Sequence, residues 1–185
     1  MVLVLVVGDL HIPQRAADIP EQFKKLFIPG RINAIFLTGN VCCREVFDYF
    51  RAVCSNIYAV RGDYDDYAKE IPETQVVDIE DLKFGIIHGH QLVPWGDKET
   101  LAQTQRKLGV DVLVSGHTHS QKSFELDGKL FINPGSITGA FSPFECDVPP
   151  TFVLMEVVDR TVTSFIYNMD NGEMKIKKKE WTRAL

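Results

Sequence analysis

LVSGHTHS, residues 113–120, sets His117 and His119 two positions apart behind an apolar run. The run DVLVS (111–115) has the length and composition of a buried strand. Gly116 then allows a tight departure from it. Two imidazoles therefore fall at the carboxyl tip of a strand, which is where α/β sheets build their sites. The same kind of ending recurs along the chain. VLVLVV (2–7) runs into Gly8-Asp9-Leu10-His11, and NAIFLT (33–38) into Gly39-Asn40. NIYAV (56–60) runs into Arg61-Gly62-Asp63-Tyr64-Asp65, and KFGII (83–87) into His88-Gly89-His90. All 5 histidines of the chain lie in three of these tips.

Between the strands the apolar spacing changes to helical. After Pro20 the stripe Phe23, Leu26, Phe27 predicts a helix over 20–28. Val46, Phe47, Phe50 and Val53 predict another over 44–53. The resulting β-α-β-α-β order implies a parallel sheet with helices on its outer face. Asp97 is a plausible N-cap for a helix reaching Leu108. QVVDI (75–79) reads as a strand. SFEL-DG-KLFIN reads as a hairpin about an Asp-Gly turn, and 152–158, 161–168 and 173–179 read as antiparallel strands. The expected fold is α/β, a two-sheet β-sandwich flanked by helices, in a single domain over 1–185.

The 185 residues are 45% hydrophobic and 24% charged, with a formal net charge of -5. The length supports one stable core, and an acidic balance argues against sequence-independent nucleic-acid binding. The lysines of KIKKKEW (175–181) read as the wet face of a terminal strand. Cys42, Cys43, Cys54 and Cys146 show no C-x-x-C spacing and read as free thiols in a reducing compartment. The opening MVLVLVV has no basic leader and no cleavage site, so it reads as a buried strand rather than a signal peptide. No window approaches the roughly 18 apolar residues of a membrane span, and the expected location is cytoplasmic.

The strand tips would bring two aspartates, an asparagine and four histidines to one crevice. Imidazole and carboxylate donors together suit zinc, manganese or iron, and seven are too many for one tetrahedral ion. Two ions would use them. Any one motif alone reads equally well as satisfied core histidines or an ordinary loop; their coincidence at strand tips favours metal.

GDLH, TGN, RGDYD, HGH and SGHTH, in that order, resemble the motif series of the calcineurin-like metallophosphoesterase superfamily, with NPGS at 133–136 following as in its small phosphodiesterases. The resemblance implies a helix-flanked sandwich. It carries Asp9, His11, Asn40, Asp63, His88, His117 and His119 over as metal ligands, with His90 behind them. GDLHIP, VRGDYD, IHGHQLVPWGD and INPGSITGAF resemble more narrowly the phosphoesterase-fold subunits of retromer, the endosomal sorting coat, over nearly the whole chain. That implies a protein recruited from the cytosol to endosomes, reaching the membrane only through its complex. Its partners would be a large helical-solenoid subunit and accessory regulators.

Two positions depart from the pattern of the active enzymes. Asn40 stands where they carry a bridging aspartate, and Tyr64 where they carry the catalytic histidine. Two dications about 4 Å apart repel by roughly 15–20 kcal/mol at an effective dielectric near 20. A neutral amide offsets less of this than a carboxylate, so divalent zinc or manganese is expected to bind weakly and unequally. A tyrosine, with an ordinary pKa near 10, is also a poorer acid for a leaving oxygen than a histidine. The expected function is a scaffold, non-catalytic or nearly so, with an active metal-dependent phosphodiesterase or phosphatase as the alternative. Leu92, Val93 and Trp95, in the loop QLVPWG leaving the crevice, are expected to dock the solenoid subunit. Leu3, Leu26, Leu154, Tyr167, Met174 and Ile176 are expected, from the resemblance, to form an apolar patch for regulators. The bland reading of both sets is ordinary core.

Overall fold

The computed structural model describes residues 1–184. Six strands form the first sheet, in the order β11-β10-β9-β1-β2-β3: β1 (Val2–Val7), β2 (Ala34–Leu37), β3 (Ile57–Ala59), β9 (Thr151–Val158), β10 (Thr161–Asp170) and β11 (Glu173–Thr182). Five form the second, in the order β4-β5-β6-β8-β7: β4 (Thr74–Ile79), β5 (Leu82–Ile87), β6 (Val112–Ser115), β7 (Lys122–Leu126) and β8 (Lys129–Asn133). The expected two-sheet α/β architecture is the one observed. β1, β2 and β3 run parallel, as do β5, β6 and β8, while β9, β10 and β11 form an antiparallel meander beside β1.

β1 shows why the sequence folds this way. Its residues 4–7 are fully buried, because one face meets the opposite sheet and the other meets helices. A strand covered on both faces needs a continuous apolar run rather than an alternating one. Val4 and Val6 join Phe36, Phe84, Ile86 and Val114 between the sheets. Leu5 and Val7 join Leu37, Phe23, Phe50 and Phe152 under the helices α1 (Glu21–Lys24) and α2 (Arg44–Val53). On the outer face of the second sheet, α3 (Lys98–Leu108) lays Leu101 and Ala102 over Leu113 and Phe131. Each fully buried Leu, Val or Phe contributes about 1.5–3 kcal/mol.

Asp97 caps α3 as expected, accepting the Thr100 N–H at 2.9 Å, and Gly109 closes it in the left-handed region at φ 64°. The Asp127-Gly128 turn, with φ of 52° and 69°, joins β7 to β8. The first helix is shorter than the periodicity predicts. It spans four residues and then tightens, Leu26 N–H bonding to Phe23 and Phe27 N–H to Lys24. Pro29 bars another α-helical turn because its ring would clash with the carbonyl of residue 25, yet Phe23 and Phe27 keep their buried stripe.

Candidate metal centre

The parallel strands of both sheets end at the same rim of the sandwich, and their tips form one crevice. Asp9 and His11 follow β1, Asn40 follows β2, Asp63 follows β3, His88 follows β5, and His117 and His119 follow β6. The glycines in these tips have specific reasons to be there. A Cβ on Gly62 would sit 2.1 Å from Asn40 Oδ1, and one on Gly116 would sit 2.7 Å from Thr38 Oγ1 and 3.0 Å from Asp9 Oδ2. The tips cross too closely for any side chain there. Asp9, His11, Asn40, His117 and His119 all adopt left-handed φ between 49° and 72°. Such backbone costs about 1–3 kcal/mol per residue, and it persists only where surrounding structure holds it.

The donors fall into two groups, Asp9 with His11 and His119, and Asp63 with His88 and His117. Within each group the candidate ligand atoms all lie within 4.8 Å of one another. Two histidines have their ring orientation fixed from behind. His88 Nδ1–H donates to Thr38 O at 2.6 Å, and His119 Nδ1–H donates to Ala140 O at 2.6 Å. In both rings Nε2 is therefore turned into the crevice, where its lone pair can bind a metal once it carries no proton. His11 Nε2 faces His119 Nε2 at 3.2 Å. Behind His11 stands a sulfur instead, Cys42 Sγ at 3.8 Å from Nδ1.

The electrostatics favour a cation. Asp9 is wholly buried, and its Oδ1 has no hydrogen-bond partner. That oxygen lies 3.7 Å from His119 Nε2 and 3.9 Å from His88 Nε2, between the two groups. Its other oxygen accepts the His117 N–H at 2.9 Å. Burial pushes the Asp9 carboxyl up, against the pull of His88 and His119. Burial, with the charge of Arg15, pushes His11 down to about 3. Burial and His88 push His117 down to about 4. Burial would raise Asp63, but hydrogen bonds from His88 and Asn40 hold it well below the usual carboxylate range. His88 is raised, its burial outweighed by Asp63 at 3.1 Å and by Asp9. The crevice thus gathers imidazole lone pairs around an unpartnered buried carboxylate oxygen. Such a donor set suits zinc or a metal of similar preference, and the residues present fit two ions.

Asn40 stands between the groups. Its Nδ2 donates to Asp63 Oδ1 at 2.9 Å and lies 3.1 Å from His88 Nε2 and 3.4 Å from His11 Nε2. Its Oδ1 is turned away and accepts the Tyr64 N–H at 2.9 Å. Tyr64 itself points outward, 51% exposed, with its ring edge-on to His11 at 5.3 Å and under the Arg15 guanidinium at 4.8 Å. His90 is in neither donor group. Its ring lies 5.3 Å from that of His88, and its buried Nδ1 has no partner. Trp95 packs edge-on against His117 at 4.5 Å and against Phe144 at 5.3 Å, walling a cleft of about 130 Å³ over the donors.

Reading the residues alone missed the supports. Ser136 Oγ donates to Asp9 O and Thr138 Oγ1 to Leu10 O, both at 2.7 Å. The NPGSIT segment thereby braces the loop that carries Asp9 and His11. Its motif was visible in the sequence, but its role was not. The carbonyls of Thr38 and Ala140 carry no side-chain signature at all.

The two expected docking surfaces divide cleanly. Val93 is 71% exposed and Trp95 44%, whereas Leu92 is half-buried against the α3 core. Register puts Leu3, Leu154, Tyr167, Met174 and Ile176 on one face of the first sheet, since Leu154 pairs with Leu5, Tyr167 with both Phe152 and Ile176, and Met169 with Met174. Leu26 follows α1, two residues after its last residue. Met174, Ile176 and Leu26 are exposed, while Leu3, Leu154 and Tyr167 are half-buried.

Comparison with known proteins agrees with this geometry. Residues 2–160 match the calcineurin-like phosphoesterase superfamily domain. Vacuolar protein sorting-associated protein 29 of Schizosaccharomyces pombe is 38% identical over 185 residues, covering 98% of each chain. A crystal structure of wild-type Vps29 from Entamoeba histolytica complexed with zinc is 43% identical. It superposes with a TM-score of 0.91, covering 96% of this chain and 98% of that one. Vps29 of Chaetomium thermophilum complexed with a cyclic peptide is 37% identical, with a TM-score of 0.88 and coverage of 100% and 98%. With such identity along its whole length, and with the strand-tip motifs in order, the chain belongs to the calcineurin-like phosphoesterase superfamily and, within it, to the Vps29 family of retromer subunits.

Proposed function

We propose that the chain serves retromer as an interaction subunit in endosomal protein sorting, and that its phosphoesterase crevice binds divalent metal without efficient turnover. Asp9, His11 and His119 would hold one ion, Asp63, His88 and His117 the other, with Asn40 between them. When bound, such ions activate water and neutralise phosphate oxygens. The zinc in the Entamoeba Vps29 relative supports zinc as a ligand here.

The observation that carries the scaffold reading is the Asn40–Tyr64 pair. Asn40 presents amide hydrogens to Asp63 and His88 because its oxygen is engaged by the Tyr64 N–H. It therefore supplies no negative charge between two cations. Tyr64, at the position of the family's general acid, stacks under Arg15 and faces solvent. A missing general acid alone costs about 10²–10⁴ in rate. Docking of a helical-solenoid subunit on Val93 and Trp95 fits their exposure beside the crevice. Regulator binding on the outer sheet face fits the exposed Met174 and Ile176.

The alternative, a working phosphodiesterase, is favoured by the completeness of both donor groups. Hydrolysis of a bis-aryl phosphate with excess manganese at pH 7 separates the two. We expect near-background turnover in the wild type and a measurable rise in the Asn40→Asp, Asp63→Asn, Tyr64→His triple variant. Robust wild-type turnover abolished by His117→Ala would establish the enzyme instead.

A further inference from the structure

We propose that Asp65 is a positioning residue that latches the two halves of the metal centre together, an inference that rests on the metal-binding reading above. Asp65 touches no candidate ligand atom, yet it is only 3% exposed. Its carboxylate accepts three backbone N–H groups from two separate strand tips. Oδ2 takes Asn40 N at 2.7 Å and Gly62 N at 2.8 Å, and Oδ1 takes Cys42 N at 2.9 Å. Among the described residues, none of these N–H groups has another acceptor.

The bonds fall at the positions that most need holding. Asn40 and Cys42 are both left-handed, at φ 54° and 70°, a conformation non-glycine residues keep only under external constraint. Asn40 reaches across to Asp63 and His88, and the Cys42 sulfur backs His11. Gly62 precedes Asp63 directly and packs against Asn40. One buried carboxylate therefore sets the loop after β2 against the loop after β3. Through them it aligns Asn40 and Asp63, the two residues that face each other across the centre. A buried N–H left without an acceptor costs about 1–3 kcal/mol, so the loops cannot keep this crossing once the carboxylate is gone. The dependence is graded. Asp63 is held by two groups that Asp65 bonds directly, Gly62 before it in the chain and Asn40 across from it. The Asp9–His11 loop meets the latch one step further out, through Asp9 N–H to Gly39 O and His11 N–H to Asn40 O, and has Ser136 and the Ala140 carbonyl as further supports. Losing the latch should thus weaken the Asp63–His88–His117 group more than the Asp9–His11–His119 group.

The test compares the wild type, Asp65→Ala, Asp65→Asn and Asp111→Ala, the last removing a carboxylate that binds Lys129 and Arg183 instead. Zinc is titrated into each full-length protein by calorimetry, and amide exchange is followed in the zinc-free proteins. For Asp65→Ala we expect one zinc step to lose tenfold or more in affinity and the other to lose less. Amides 40–42 and 62–64 should exchange faster. Asp65→Asn, which keeps one acceptor oxygen and should fold even if alanine does not, should fall between it and the wild type. Asp111→Ala should bind zinc as the wild type does. Unchanged zinc affinities and exchange in both Asp65 variants would overturn the latch, as would an equal loss at both steps matched by Asp111→Ala. Absence of zinc binding in the wild type would instead overturn the metal reading, and the exchange data alone would then decide the latch.

Discussion

At the scale of single residues, the centre is organised by which nitrogen or oxygen each side chain turns inward. His88 and His119 have that choice made by carbonyls behind them. Burial lowers His11 and His117 to about 3 and about 4, so near neutral pH almost no proton on them competes with a metal. His88 is different, because its pKa is raised above the ordinary 6.5 by Asp63 and Asp9 against burial. Below its raised value the metal-free protein carries a proton there, and a ligating imidazole must lose it. Zinc binding to the Asp63–His88–His117 group should therefore release a proton and weaken by about tenfold per pH unit as pH falls through that value. Calorimetry in two buffers of different ionisation enthalpy, at pH 7.5 and pH 6, measures that release. Two zinc steps of equal affinity would remove the asymmetry argued from Asn40.

Between elements, the sandwich is tied at the end remote from the metal rim by one carboxylate. Asp111, just ahead of β6, accepts the Lys83 N–H at 3.1 Å, Lys129 Nζ at 2.7 Å and Arg183 at 2.8 Å. It links β5, β8 and the residue after β11, and so joins the two sheets. Burial pushes its carboxyl up, but Lys129, Lys83 N–H and Arg183 together bring it below the usual range. A depressed carboxyl contributes stability that is present above the unfolded value near 4 and is lost as pH falls below it. Asp111→Asn should cost about 1–3 kcal/mol at pH 7 and progressively less below pH 4. Urea unfolding of both proteins at pH 7 and pH 3 checks this, and an undiminished gap at pH 3 would contradict the charge-based account.

Over the whole molecule, the two candidate docking surfaces lie on different structures. Val93 and Trp95 sit on the metal rim, in the loop between β5 and α3. The Leu154–Tyr167–Ile176 face runs out to β11, three strands from β1 and thus about 14 Å away sideways at roughly 4.8 Å per strand. A charge on one should leave the other intact. Val93→Asp should weaken co-precipitation of a helical-solenoid retromer subunit and spare regulators. Leu154→Asp should do the reverse, with circular dichroism first confirming that both variants fold. An unpaired charge buried at an interface costs several kcal/mol, enough to lose capture. Identical capture patterns would merge the two surfaces into one. Among the described residues no helix is long and apolar enough to cross a membrane.

The strands and their tips were legible because burial on two faces demands unbroken apolar runs, as in VLVLVV, and because glycines mark where the chain leaves them. The common crevice followed, since the parallel strands of both sheets point their carboxyl ends to one rim, while the choice of seven ligand positions came from the order of the motifs and their resemblance to a family. The short α1 was harder to read, because periodicity reports the buried stripe of Phe23 and Phe27 but not where Pro29 interrupts the hydrogen bonds. Only the tertiary structure decided how six of the candidates divide into two groups of three, which face of Asn40 meets them, and that Val93 is open to solvent while Leu92 is covered. It alone set Thr38, Ala140 and Asp65 behind the centre. Those relations depend on distances between residues far apart in the chain and on backbone atoms that every residue shares, so no local pattern in the sequence records them.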